Sequence, residues 1–232
     1  MKKFIYLDHN STAPMLPAVA NKMSECFSAG FVNPASQHRP GQMARKHLED
    51  SRRKIAELLG AKTLGMDTDQ LIFTSGGTES NNLAILGLIN AHDSNLANNK
   101  GLFTPQHVLV SSVEHPSVTG AAEQLVRLGH SVDKIPVDSL GVCRVDQLDS
   151  LINDNTKLVS LMLANNETGV VQPVKEVAQL CRDRGVLFHT DAVQAVGKIP
   201  VNFSDLAVDA LSFTGHKFGG PRGIGGLILR HG

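Results

Sequence analysis

Four stretches of the sequence carry residue types able to do chemistry together. In SFTGHKFGGPRGIGG, residues 212–226, Lys217 follows His216 and stands between an apolar run and a string of glycines. A lysine amine is a nucleophile toward carbonyl carbon once it loses its proton, although a lone lysine is as a rule a solvated one. In TSGGTES, residues 74–80, a glycine turn opens a helix, which aims backbone N–H groups and the positive end of a helix dipole at one point and suits an anion. Thr78 or Ser75 acting only as a helix cap is the plainer alternative. Neither the GKS/GKT ending of a nucleotide P-loop nor GxGxxG is present, so a single phosphate fits better than a triphosphate or dinucleotide.

Asp191 ends the apolar run VLFHT, where an ionised carboxylate is costly without a cation or N–H donors. A structural salt bridge would serve it equally well. His115, between Glu114 and Pro116, and likewise His189 and His216, could each be a half-buried histidine with a hydrogen-bond partner. His189 and Asp191 fall on one strand face, but no third ligand lies close by in sequence, so a metal site is not expected. Taken together, an amine, an anion seat and a buried carboxylate match pyridoxal 5'-phosphate. The amine can form a Schiff base with its aldehyde, the helix start can take its phosphate, and the carboxylate can hold its ring nitrogen protonated.

The elements that must position these groups are legible as a rhythm. Ala44, Leu48, Ser51, Ile55, Leu58 and Leu59 step by three and four, predicting a helix from Gln42 to Gly60. Then follow a strand at 71–74, a helix from Glu79 to about Ala91, a strand at 108–112, and a helix from Pro116 to Leu128 closed by Gly129. A strand at 158–164, a helix between Pro173 and Gly185, and strands at 186–190, 210–213 and 226–230 complete the series. Short apolar strands separated by helices predict an α/β fold with a mostly parallel sheet of seven-stranded type, covered on both faces. The last two strands, joined by glycines without a helix, are expected to depart from the parallel pattern. The polar stretch 92–106 reads as a surface excursion.

Composition narrows the partners. The 232 residues hold 22 basic and 22 acidic side chains, so no net field favours nucleic acid or an anionic membrane. With no tryptophan and one tyrosine, stacking platforms for single strands are poorly supplied. The opening MKKFIYLDHNST is too briefly apolar for a signal peptide or membrane span, so a cytoplasmic protein is expected. Cys26, Cys143 and Cys181 are widely spaced and in no CxxC pattern, which fits reduced thiols.

Seven ordered motifs resemble the cysteine desulfurases of the NifS and IscS kind, within the class V aminotransferases of fold-type I: IYLDHNSTAP, NPASQHRPGQMAR, FTSGGTESNNLAI, SSVEHPSV, LVSLMLANNETGVVQP, HTDAVQAVGKIPV and LSFTGHKFGGPRGIGGL. The resemblance implies that Lys217 carries the cofactor and then acts as the base at the substrate α-carbon. His115 would stack on the pyridine ring and help with proton transfer, and Asp191 would pair with the ring nitrogen. Gln194 and Asn166 would lie around the ring, with Gly77, Thr78, Thr214 and His216 at the phosphate. Thr214 and Gly77 stand where the family often has serine and alanine, and the ending NSTA differs from the family's Ala-Thr-Thr near the substrate.

The same resemblance implies a large cofactor-binding domain over residues 14–232, with residues 1–13 packing on a C-terminal small domain absent from this chain. That domain carries the family's nucleophilic cysteine and its carboxylate-binding arginine. L-Cysteine as substrate, a homodimer and a sulfur-accepting scaffold partner are implied, for iron–sulfur cluster or thio-cofactor synthesis, with the chain alone expected to be inactive. A selenocysteine lyase, an aminotransferase, or a non-catalytic fragment that binds a partner subunit are the alternatives.

Overall fold

The computed structural model describes residues 5–94 and 103–231. After helices α1 (Pro17–Ser28) and α2 (Arg39–Leu58), the chain alternates strand and helix. The series runs β1 (Gln70–Thr74), α3 (Gly77–Ser94), β2 (His107–Ser111), α4 (Pro116–Arg127), β3 (Ser131–Ile135), α5 (Val145–Leu151) and β4 (Thr156–Ser160). It closes with α6 (Val174–Asp183), β5 (Leu187–Asp191), α7 (Phe203–Leu206), β6 (Ala210–Thr214) and β7 (Gly225–Leu229).

The strands form one sheet in the order β1-β7-β6-β5-β4-β2-β3. Neighbours from β6 to β3 pair in parallel, and β7 runs antiparallel to both β1 and β6. A glycine loop too short for a crossover helix permits only this return, since parallel strands need a connection of a dozen residues or more. Gly225 heads β7 beside Thr74 and Thr214. A Cβ there would stand 2.7 Å from the Gly76 carbonyl carbon, so the approach of the two loops requires glycine.

Strand alternation divides the core. Val108, Val110 and Leu158 face α3 and α4, meeting Ile85, Ile89, Val118 and Leu125. Leu109, Val159, Phe188 and Leu211 face the other way, onto Val177 and Cys181 of α6 and Phe203 of α7. Both faces being covered, β2 and β6 are buried at every position.

Several expectations shift in detail. Helix α2 begins at Arg39, Leu58 is exposed, and Ala56 takes the buried place beside Leu59. The run 158–164 leaves the ladder after Ser160, yet Leu161 and Leu163 still donate backbone hydrogen bonds to His189 and Asp191. Much of the stretch 92–106 lies outside the described residues. Among the described residues no helix is long and apolar enough to cross a membrane.

Candidate functional site

With β1, β2, β4, β5 and β6 parallel, their carboxyl ends share one edge of the sheet, where ligands of open α/β folds sit. A cavity of about 240 Å³ opens there. Gly77, Thr78, His115, Asn166, Asp191, Gln194, Thr214, His216 and Lys217, every site residue expected from sequence, all line it.

Lys217 leaves β6 through a single tight turn, Gly215–Lys217, and its Nζ donates to the Asn10 carbonyl at 2.6 Å. Burial holds this ammonium below the usual lysine range, and the nearby Lys198 ammonium adds to the effect. The neutral, nucleophilic form is thereby favoured. Asp191, 4% exposed, closes β5. Its Oδ1 accepts from the Val193 N–H at 2.9 Å and its Oδ2 from Asn81 Nδ2 at 2.7 Å. Burial raises its pKa, and these donors, with His115 and Lys217, pull the other way.

The anion seat is built at the start of α3, whose first N–H groups have no carbonyl within the helix. Glu79 folds back so that its Oε2 accepts from the Ser75 N–H at 2.6 Å, fixing the turn, and the bond holds its carboxyl below the usual range. Gly77 lies close against Val193: a Cβ would stand 2.6 Å from Val193 Cγ2, so a side chain there needs Val193 to shift. Thr214 closes the far wall, its hydroxyl donating to the Ile224 carbonyl.

His115 caps α4, its Nδ1 accepting from the Ser117 N–H at 3.1 Å. His216 meets Thr12 Oγ1 through Nδ1 at 2.8 Å, and burial, then Lys217 and Arg222, lowers its pKa. Asn166 belongs to the loop whose turn Asn165 ties by accepting from the Glu167 and Thr168 N–H groups.

Sequence reasoning missed Asn81 and Ser117, which line the cavity and join Asp191 to His115. Their signal was faint: an asparagine one turn into α3 from Gly77, and a hydroxyl two residues after the capping histidine. The opening segment, expected near the substrate at NSTA, bonds across the site through Asn10, Thr12 and Ala13. The Asn10 carbonyl accepts from Lys217 and from Gln194 Nε2, and its side-chain oxygen from Lys198. None of the three cysteines lines the cavity. Cys143 and Cys181 are buried in the core, which pushes their thiols up to about 11 and about 12.

The arrangement can hold a phosphorylated aldehyde with a basic ring nitrogen and place an amine at its carbonyl carbon. Comparison with known proteins points the same way. Cysteine desulfurase IscS of Enterobacter sp. (strain 638) is 43% identical over 99% of this chain, and that of Dictyoglomus turgidum 41% identical over all of it. The chain spans about half the length of these relatives, 54% and 55%. A solved NifS-like protein superposes with a TM-score of 0.87 at 34% identity, covering 98% of this chain and 59% of that one. SspA in complex with cysteine superposes at 0.85 and 31% identity, covering 97% and 61%. The sequence model of the class-V aminotransferases matches residues 5–232, and the chain belongs to that family.

Proposed function

We propose that the chain is the cofactor-binding part of a pyridoxal-phosphate-dependent cysteine desulfurase. What carries this reading is the convergence, in one cavity, of a lysine with a lowered proton affinity, a buried carboxylate oriented by two N–H donors, and the open start of an 18-residue helix. The donor set suits the group: Lys217 would hold its aldehyde carbon, and Gly77, Thr78, Thr214 and His216 its phosphate. Asp191 would hold its ring nitrogen, His115 its ring face, and Asn166 and Gln194 its edge. When bound, pyridoxal phosphate supplies an electron sink for charge developing at a substrate α-carbon.

The chain's own residues do the rest. Asp191, whose burial raises its pKa while the Val193 N–H and Asn81 donors pull the other way, would pair with a proton on the ring nitrogen. Lys217, once its amine is free, is the base that takes the α-proton of L-cysteine, and Asn10 supplies an acceptor for that amine. With Cys143 and Cys181 sealed in the core and Cys26 outside the cavity lining, the sulfur-accepting thiol is assigned outside these 232 residues. The same proposal includes a homodimer, a sulfur-accepting scaffold partner, a role in iron–sulfur cluster assembly, a cytoplasmic location, and a cofactor-binding unit over 14–232 with 1–13 as a separate segment. Within this segment residues 10–13 bond across the cavity mouth.

Titration with pyridoxal phosphate, followed by visible absorbance, tests the reading. A new band that saturates at one cofactor per chain is expected, and Lys217→Ala abolishes it. A band of equal size in the variant would overturn the assignment.

A further inference from the structure

Asp191 and His115 are joined by a chain of hydrogen bonds whose direction can be read atom by atom. The Asn81 amide turns its nitrogen toward Asp191 and donates to Oδ2, 2.7 Å away. The second hydrogen of that nitrogen points at Ser117 Oγ, 2.9 Å away. Ser117 therefore accepts from Asn81, and its single hydroxyl hydrogen is left for His115 Nδ1 at 2.8 Å. Nδ1 also faces the Ser117 backbone N–H at 3.1 Å. Two donors aimed at one ring nitrogen exclude a proton there, so neutral His115 carries its proton on Nε2.

Two further observations agree. Asn81 Oδ1 is buried without a partner, the cost of committing both amide hydrogens to this direction. Asn82 pins the far end, its Nδ2 donating to the carbonyls of Thr78 and Ser117 and so tying the first turn of α4 to α3. Asn81 and Ser117 are themselves buried, at 1% and 8% exposure, so water does not compete for these bonds.

We infer that Asn81 and Ser117 are positioning residues that transmit the orientation set by Asp191 to His115 and fix the His115 proton on Nε2. Any proton that His115 gives or takes at the cavity then passes through Nε2, because Nδ1 is spent on Ser117. The inference rests on the geometry of this chain and on no particular cofactor or substrate. Its failure is therefore distinguishable from failure of the pyridoxal-phosphate reading.

The test is ring-nitrogen NMR on the full chain with ¹⁵N-labelled histidine, near pH ~8 where ordinary imidazoles are neutral. The His115 signals among the 10 histidines are assigned by their loss in His115→Asn, which keeps a helix cap. In the parent chain Nε2 shows the protonated-type shift and Nδ1 the unprotonated type. Ser117→Ala leaves only the backbone donor, and the Nδ1–H share rises roughly five-fold or more, the size of one ordinary hydrogen bond. Ser117→Thr, which keeps the hydroxyl, restores the parent pattern. A parent His115 protonated on Nδ1 overturns the inference even if neither Ser117 variant folds. So does a Ser117→Ala chain with intact circular dichroism and an unchanged tautomer ratio, as a merely structural serine would give.

Discussion

Glu114, one residue before His115, is a carboxyl whose ionisation the fold opposes. Its Oε1 accepts from Ser111 Oγ and from the Met162 N–H, both at 2.7 Å, while Oε2 is buried with no partner. Burial, with the Asp191 charge adding to it, pushes the carboxyl from 4.5 up to about 8. The folded state keeps a proton that the unfolded chain gives up between those values. This group's contribution is therefore full below pH 4.5 and is lost as pH rises toward about 8. The steepest loss is about 1.4 kcal/mol per pH unit, which accumulates to roughly 3 kcal/mol between pH ~4.5 and pH ~7. Glu114→Gln cannot ionise. Urea denaturation followed by circular dichroism at half-unit pH steps should show the variant gaining on the parent by about 3 kcal/mol over that interval. A stability difference that stays constant with pH would refute the reasoning, since a packing change carries no proton.

Three other perturbations separate packing from charge. Gly77→Ala places a methyl 2.6 Å from Val193 Cγ2 and should lower stability by about 1–3 kcal/mol, with Val193→Ala relieving the clash; additive losses in a double-mutant cycle by thermal denaturation would contradict it. Lys198→Met removes the ammonium that depresses Lys217, so acylation of the Lys217 amine should set in at higher pH, by less than the full depression because burial is the larger cause. An unchanged labelling profile would count against that charge. Phe188→Ala, at a side chain 1% exposed in the larger core cluster, should cost about 3–5 kcal/mol by urea denaturation.

What the sequence revealed follows from how locally each feature is encoded. Strands β2 and β6 are buried on both faces, so their apolar runs stand out, and the polar residues after them mark the site edge. β3, one of the two edge strands, was missed because it lacks an apolar run: Asp133 and Lys134 are exposed and only Ile135 is fully buried. Helix α7 is one turn long and α1 buries no residue, so neither has a strong apolar stripe. Lys217, Asp191, His115 and the helix start at Gly77 and Thr78 were found because they follow apolar runs or glycine turns, whereas Asn166, Gln194, Thr214 and the role of His216 came from the family resemblance. Asn81 and Ser117 were not found, since their roles come from contacts across 110 and 36 residues of chain. Asn10 reaches Lys217 over 207 residues, a pairing set by the way the opening segment lies on the glycine loop through Ala13 and Leu16.

The central claim is that Lys217 is the residue prepared to hold an aldehyde cofactor. Incubating the chain with pyridoxal phosphate, reducing with borohydride and mapping the adduct by peptide mass tests it directly. Label concentrated on Lys217, and lost when the chain is unfolded in urea before incubation, is the expected result. Label spread over the surface lysines in proportion to their exposure, with no preference for Lys217, would contradict it.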